Sequence, residues 1–266
     1  MIDPSEMGID YVHEENDFID FNLQKTLPHK FSQYGPAIAV GDVNGDGNDD
    51  MVLSSSSRFQ GPVLLTQLPN GKFNKKILSI KSSDLMKEED MGLLLFDADS
   101  DGDGCSDAKE SGATKAYPKP GQSLLLRNDS KPGQLKFTDI TKQWFTDPAA
   151  LGMVSDVLFT DFDNDNKQDL LIASEWSDLG FYKNTGKGYQ KIETSKDIAE
   201  AKGWWNSLAA ADLDQDGDMD YVAGNFGLNQ YFKCSSGEPL RIYAKDFDQN
   251  GSYDAFISCY FPDSAG

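Results

Sequence analysis

The sequence predicts an all-β fold, a β-propeller built of four-stranded blades, and three observations carry that prediction. A nine-residue Asp-rich pattern occurs five times along the 266 residues. Short apolar runs typical of buried strands follow the pattern, and Asn-Gly turns typical of hairpins follow those runs. The pattern starts at positions 42, 97, 161, 212 and 246, so that successive starts lie 55, 64, 51 and 34 residues apart. Four-stranded units at this period, without a clear amphipathic helix between them, are typical of propeller blades.

The five copies, named loops one to five in chain order, place oxygen-bearing side chains at positions 1, 3, 5 and 9, with loop two counted from Asp99. Position 7 is counted as well, because its backbone carbonyl is the expected ligand of such a loop. The candidate metal-binding residues are Asp42, Asn44, Asp46, Asn48 and Asp50 in loop one; Asp97, Asp99, Asp101, Asp103, Cys105, Asp107 and Glu110 in loop two; Asp161, Asp163, Asp165, Lys167 and Asp169 in loop three; Asp212, Asp214, Asp216, Asp218 and Asp220 in loop four; and Asp246, Asp248, Asn250, Ser252 and Asp254 in loop five.

The segments after the loops predict the strands. Positions 10 to 12 are apolar in four copies, as in the runs 51–53 and 170–172. Asn70-Gly71 and the segment from Asn184 to Gly186 then predict hairpin turns, because Asn and Gly accept a positive φ. The sequence therefore predicts one small antiparallel sheet per copy.

Calcium is the ligand that this pattern indicates. Four carboxylates held about 4–5 Å apart repel one another by several kcal/mol per pair at an effective dielectric near 20. Hard oxygen ligands without sulfur or imidazole favour Ca²⁺ over zinc. Gly47, Gly217 and Gly251 at position 6 would allow the sharp turn. Asp, Asn and Gly also form ordinary solvated turns, but five copies in register favour about one ion per loop, with room for two in loop two.

An EF-hand is the competing calcium site, and most of the sequence argues against it. An EF-hand needs a bidentate Glu at position 12 and flanking helices, whereas position 12 is apolar in loops one, three, four and five. Loop two differs, because counting from Asp99 places Glu110 at position 12, while counting from Asp97 places Gly102 at position 6 and Cys105 at position 9. We favour the count from Asp99, which resembles a thrombospondin type-3 calcium repeat, and no apolar strand follows loop two in either count.

Composition and charge exclude several function classes. A formal charge of −20 argues against nucleic acid or an anionic membrane surface as a partner, and no apolar run is long enough to span a membrane. Cys105, Cys234 and Cys259 form no C-x-x-C pair, although one disulfide, such as Cys234 with Cys259, stays open. His13 and His29 lie away from any nucleophile motif, and we expect no catalytic residue. The first residues lack the features of a signal peptide.

The loops resemble those of FG-GAP or VCBS repeat proteins, the integrin-α-like propellers, in which each blade carries a D-x-[DN]-x-[DN]-G-x-x-D loop. Gly35-Pro36 is similar to that family's blade opening, and the segments 203–206 and 224–227 resemble a bacterial branch related to ASPIC/UnbV proteins. The resemblance implies a propeller, usually of seven blades, with calcium in the loops and export from the cytoplasm. Two departures are Asn166 in place of Gly in loop three and the missing strand after loop two.

This resemblance also sets the expected domains. We expect an N-terminal arm or a ring-closing strand over residues 1–34 and propeller repeats over 35–266. The expected blades cover about 35–90, 91–153, 154–202, 203–240 and an incomplete 241–266. Five loops are too few for seven blades, so we expect further blades or domains beyond residue 266, or on another chain.

For function, the sequence favours a non-catalytic, calcium-stabilised extracellular scaffold that binds a protein or a glycan at a propeller face. Extracellular, cell-surface or periplasmic locations all suit calcium loops, because cytosolic calcium would leave them empty. A carbohydrate-active enzyme domain is one alternative, with Trp144, Trp176, Trp204 or Trp205 stacking on sugars and paired carboxylates acting on them. A structural spacer domain is another. The identity of the ligand does not follow from the sequence.

Overall fold

The computed structural model describes residues 3–12, 19–22, 25, 36–53, 62–78, 117–120, 123–129, 136–226 and 232–261. Within these residues, strands dominate, and the helices are short. The strands are β1 Ile38–Gly41, β2 Asp50–Leu53, β3 Val63–Gln67, β4 Phe73–Ile77, β5 Leu126–Asn128, β6 Phe137–Asp139, β7 Met153–Thr160, β8 Asp169–Ser177, β9 Gly180–Asn184, β10 Tyr189–Lys191, β11 Gly203–Ala211, β12 Asp220–Asn225, β13 Arg241–Lys245 and β14 Asp254–Ser258. The α-helices are α1 Thr141–Trp144 and α2 Lys196–Glu200, and 3₁₀ helices cover Pro4–Met7, Asp20–Asn22 and Pro148–Leu151.

The first sheet is a four-stranded antiparallel unit in the order β1-β2-β3-β4. Loop one joins β1 to β2, and the predicted turn at Asn70-Gly71 joins β3 to β4, with Gly71 at a φ of 76°. Val52 pairs with Ala39 on one side and with Leu64 on the other, so the apolar run after loop one is a central strand. This sheet has the architecture that the sequence predicts for one repeat.

The second complete unit is formed by β7, β8, β9 and β10, and it is joined to the next repeat. Each of these strands pairs antiparallel with its neighbour in the chain. The far end of β8 also pairs with the start of β11, where Trp204 is aligned with Glu175. As a result, β11 and β12 belong to the same six-stranded sheet. The sequence predicts one separate sheet per repeat, and this prediction does not hold here. The strand β8 extends beyond β9, and its last residues pair with β11.

Two further antiparallel pairs are β5 with β6 and β13 with β14. Loop five joins β13 to β14, whereas loop two lies outside the described residues. The prediction of an all-β class is confirmed, and the repeated antiparallel sheets are consistent with a β-propeller.

Among the described residues, the largest buried cluster surrounds β8. Leu170 and Ile172 are buried together with Tyr182 of β9 and Tyr189 of β10. Phe145, the residue after α1, stacks on Tyr189. Neighbouring Leu171 and Ala173 are buried as well, so both faces of β8 are covered. A strand buried on both faces reads as a continuous apolar run, which is why the sequence of this segment does not alternate.

Residues 3–12 pack against the first sheet. Ile9 and Tyr11 contact the cluster formed by Leu53, Val63 and Leu65, and Asp10 lies 3.0 Å from the ammonium of Lys75 in β4. Two thiols in the described part of the chain are free: Cys234 is exposed and Cys259 is half-buried. No described helix combines the length and the apolar character that a membrane crossing would need.

Candidate metal centres

The four described loops share one backbone conformation, which the carboxylate at position 1 stabilises from within. In each loop this carboxylate accepts a hydrogen bond from the backbone N–H of position 6. The N···O distances are 2.7 Å for Asp42 with Gly47, 2.7 Å for Asp161 with Asn166, 3.1 Å for Asp212 with Gly217 and 2.9 Å for Asp246 with Gly251. These loops therefore form through contacts that lie within six residues of the chain.

Two positions in every described loop take a left-handed backbone. Position 6 has a positive φ, as the glycines predict, and Asn166 adopts the same conformation at 62°. Position 4 is also left-handed, and in three loops it is not glycine: Asn164 has a φ of 58°, Gln215 of 63° and Gln249 of 57°. A left-handed residue other than Gly is unfavourable, so these loops carry backbone strain that their hydrogen bonds must offset.

The carboxylate at position 9 links each loop to its sheet. One oxygen accepts the N–H of position 2 in all four loops, at N···O distances between 2.9 and 3.3 Å. In the two complete sheets the other oxygen accepts an N–H from the third strand, Gln67 N for Asp50 and Asn184 N for Asp169, both at 2.7 Å. Position 9 is thus a structural clamp as well as a candidate ligand.

The structure brings the predicted ligands at positions 1, 3 and 9 together. In loops three, four and five, one carboxylate oxygen from each of these positions lies within 4.8 Å of the others. The clusters are Asp161, Asp163 and Asp169; Asp212, Asp214 and Asp220; and Asp246, Asp248 and Asp254. Loop one offers Asn44 at position 3, whose amide donates to Asp50 at 3.2 Å. Hard oxygen donors at this separation fit Ca²⁺.

The position 5 side chain supports position 7. Its oxygen accepts the N–H of position 7 in every described loop, as in Asp46 with Asn48 at 2.9 Å and Asp216 with Asp218 at 3.1 Å. The pairs in loops three and five are Asp165 with Lys167 at 3.0 Å and Asn250 with Ser252 at 2.8 Å. The residues predicted in loop two, from Asp97 to Glu110, lie outside the described residues.

Negative charge is unfavourable in several of these carboxylates. Burial raises the pKa of Asp50 and of Asp169, although backbone N–H donors partly oppose the shift. Contact with Asp216 raises the pKa of Asp218 in loop four, where five acids stand within nine residues. A bound divalent cation would remove both penalties.

Loop three differs from the other described loops, because two lysines contact its carboxylates. The ammonium of Lys183, on β9, contacts Asp163 and lies 3.2 Å from Asp165. The ammonium of Lys167 lies 2.8 Å from the same oxygen of Asp165. Within the described residues, no ion pair reaches the acids of loops one, four or five. The pKa of Asp165 is lowered, first by its bond to Lys167, and the pKa of Lys183 is raised by Asp163.

Three of these features were not predicted from the sequence. The left-handed position 4 could have been anticipated in loops one and three, where Gly45 and Asn164 favour it, but not from Gln215 and Gln249 in loops four and five. The N–H donors of the third strand, Gln67 and Asn184, lie at predicted hairpins. Their acceptors cannot be assigned without the register of the strands. Lys183 lies 20 residues from Asp163, and no local pattern connects them.

A groove of about 810 Å³ lies between α1 and the β9–β10 hairpin. Half-buried Trp144 packs on Tyr189 at a ring separation of 5.3 Å, and Gly188 lets the hairpin approach the Trp144 carbonyl. Three lysines line the groove, although the whole chain carries a charge of −20. They are Lys142, Lys187 and Lys191.

The other predicted aromatic residues take structural positions. Trp204 is buried and stacks on Phe226 at 4.7 Å, and Trp176 lies 5.1 Å from Trp204. Trp176 has a φ of 59° and its indole donates to the hydroxyl of Tyr117, which in turn donates to Glu175. Half-buried Trp205 donates to the carbonyl of Ala201.

Comparison with known families finds two matches, and both fall on the loop-bearing repeats. Residues 161–223, with loops three and four, match an FG-GAP-like repeat, and residues 34–65, with loop one, match an FG-GAP repeat. These two parts of the chain are similar to FG-GAP repeats. Neither match extends to the narrower resemblances to ASPIC/UnbV proteins and to a thrombospondin type-3 repeat, which stay predictions. A search of curated proteins finds no match.

Proposed function

We propose that this chain is a calcium-stabilised, non-catalytic extracellular scaffold that presents a surface to a protein or glycan ligand. Similarity to FG-GAP repeats supports a ligand-binding or scaffold domain of propeller type. The observation that carries the calcium part is the repeated cluster of three carboxylates within 4.8 Å at the same positions of loops three, four and five.

Calcium concentration is the argument for the location. Extracellular modules bind calcium with affinities of about 10⁻⁴ to 10⁻³ M, so their sites fill at millimolar calcium and stay empty in the cytosol. At an affinity of about 10⁻⁴ M, about 1 mM calcium adds roughly 1.4 kcal/mol of stability per loop. Empty loops would keep the repulsion that raises the pKa of Asp218.

Thermal unfolding tests the calcium part directly. The protein is unfolded in chelator and in about 2 mM calcium at matched ionic strength, and magnesium at the same concentration serves as the control. We expect calcium to raise the midpoint by several degrees and magnesium to do less, because Mg²⁺ prefers a smaller octahedral site. A midpoint within about one degree in all three media would refute calcium stabilisation.

Two acids outside the loops, half-buried Asp156 and buried Glu175, support a non-catalytic role. Asp156 accepts hydrogen bonds from the N–H of Leu208 at 2.7 Å and from the N–H of Val157, the next residue, at 2.9 Å. Glu175 accepts a hydrogen bond from the hydroxyl of Tyr117 at 3.1 Å. These hydrogen bonds commit both carboxylates to the fold, whereas a glycosidase would need two carboxylates facing one sugar. Turnover of any member of a glycan panel would favour the alternative of a carbohydrate-active enzyme.

The groove beside Trp144 supports the glycan form of the proposal. A half-buried indole flanked by polar side chains can stack on a sugar ring. Lys142 and Lys187 favour a carboxylated or sulfated sugar, whereas Lys191 lies 3.1 Å from Asp178 and Asp147 also lines the groove. Binding of acidic and neutral oligosaccharides is compared in the wild type, in Trp144→Ala and in Trp205→Ala as a control with another half-buried Trp. We expect Trp144→Ala alone to lose binding, and binding of acidic sugars to weaken with salt.

The absence of glycan binding would leave two alternatives, a protein-binding scaffold and a structural spacer. If no glycan binds in calcium, capture of a protein partner that disappears in chelator would support the protein-binding form. If neither kind of ligand binds under any condition, the structural spacer alternative stands.

A further inference from the structure

We infer that Lys183 acts as a tethered cation in loop three, which makes this loop the least dependent on calcium among the described loops. The inference rests on the proposed calcium binding, and it concerns which loop needs the ion. Lys183 does not belong to the nine-residue motif and reaches the loop from β9. Its ammonium contacts carboxylates at positions 3 and 5, which are predicted calcium ligands.

The charges of the loops show why an internal cation matters. Loop three has Asp at positions 1, 3, 5 and 9, and two lysines offset two of these four charges. Loop four has five Asp in the same nine positions, and no ion pair reaches them within the described residues. The net charges are therefore −2 and −5 for the same backbone conformation. A divalent ion gains more from the second loop than from the first.

The first sheet provides a natural comparison for Lys183. Asn184 and Gln67 donate the same third-strand hydrogen bond, to Asp169 and to Asp50 respectively. The residue before each donor is Lys183 in one sheet and Thr66 in the other. Thr66 carries no charge, so the tethered cation is a property of loop three and not of the repeat.

The burial of β8 indicates how the charge of Lys183 would affect the stability of the sheet. Loop three leads into β8, the most completely covered of the described strands, and Asp169 at its start is fully buried. A lysine that offsets part of the negative charge of this loop would keep the core sheet folded at low calcium. Loops four and five would then respond to calcium while the sheet of β7–β10 stays intact.

The test removes the ammonium and keeps the length of the side chain. Calcium binding and amide hydrogen exchange are measured for the wild type, for Lys183→Met and for Lys187→Met, a control in the adjacent hairpin. We expect Lys183→Met to gain calcium affinity at loop three on the order of fivefold. Segment 161–184 should exchange equally with and without calcium in the wild type, but faster in chelator in Lys183→Met. Calcium should restore its protection.

Two results would overturn the inference. One is a wild-type segment 161–184 that responds to calcium as strongly as segment 212–225, and the other is measurable calcium binding with the same isotherm for Lys183→Met and Lys187→Met. Failure of the proposed function differs from both, because calcium would then leave every segment of every variant unchanged. Lys183→Arg, which keeps the cation, should behave as the wild type.

Discussion

The Asp at position 9 has different surroundings in the loops of the two complete sheets and in the loops of β11–β14. At position 9, Asp50 and Asp169 are fully buried, and each accepts hydrogen bonds from two separate segments of its sheet. Asp220 and Asp254 are half-buried, and their bond within the described residues comes from position 2 alone. The difference lies in the third strand, which is described beside loops one and three.

This comparison separates two roles that the motif combines. Where a third strand donates to it, the position 9 carboxylate is part of the core, and its loss would leave one buried and one half-buried N–H group without partners. Where no such donor is described, the carboxylate contributes mainly through its charge and its capacity to bind a cation. The same Asp is therefore expected to be structural in one half of the chain and calcium-dependent in the other.

The largest expected effect comes from truncating position 9 on each side of the comparison. Asp169→Ala should destabilise the protein by about 3 kcal/mol in chelator, because the N–H groups of Phe162 and Asn184 lose their acceptor. Asp220→Ala should change stability by less than about 1 kcal/mol in chelator, and its effect should grow in calcium. Denaturant unfolding in both media measures each value. Equal losses in chelator would contradict the distinction.

A second prediction concerns position 1 in the two loops without a described third strand. Loop four has Asp at positions 1, 3, 5, 7 and 9, whereas loop five has neutral Asn250 and Ser252 at positions 5 and 7. Loop four should bind calcium more tightly, so Asp212→Ala should lower calcium affinity about tenfold more than Asp246→Ala. Calorimetric titration checks this. Similar losses for the two variants would show that charge number does not set the affinity.

A third prediction concerns pH and the half-buried Asp156, which joins β7 to β11. Burial raises its pKa above the usual value of about 3.8, while the N–H groups of Leu208 and Val157 oppose the shift. The folded state thus binds this proton more tightly, so the stabilisation is present at low pH and is lost as pH rises through the folded pKa. In chelator, the stability of the wild type minus that of Asp156→Asn should fall as pH rises above about 4. A difference that rises with pH would contradict the raised pKa.

The smallest expected effect concerns backbone strain in loop three. Asn166 has a φ of 62° at the position where loops one, four and five have Gly. Asn166→Gly should stabilise the protein by about 0.5 kcal/mol, and Gly217→Asn in loop four should destabilise it by a similar amount. Thermal unfolding of the two variants gives the sign. Stabilisation by both changes would show that strain at position 6 is not the determining factor.

Much of each loop could be predicted from the sequence, because its bonds are local. Asp161 accepts the N–H of Asn166 five residues later, and Asp169 accepts the N–H of Phe162 seven residues earlier. The apolar run from Leu170 to Ile172 also identified the core strand. The order of strands within the first sheet followed from the same repeat and its Asn-Gly turn.

What the sequence by itself determined is the all-β class and the repeated loops with their oxygen-bearing side chains at positions 1, 3, 5 and 9, since these depend on spacing within a few residues. Only the tertiary structure decided which carboxylates are buried, that β8 pairs with β11, and that Lys183 reaches Asp163. Those facts depend on strand register and on contacts between segments 15 or more residues apart. The physical reason is that a motif specifies the conformation of its own backbone, whereas the packing of neighbouring strands specifies its electrostatic surroundings.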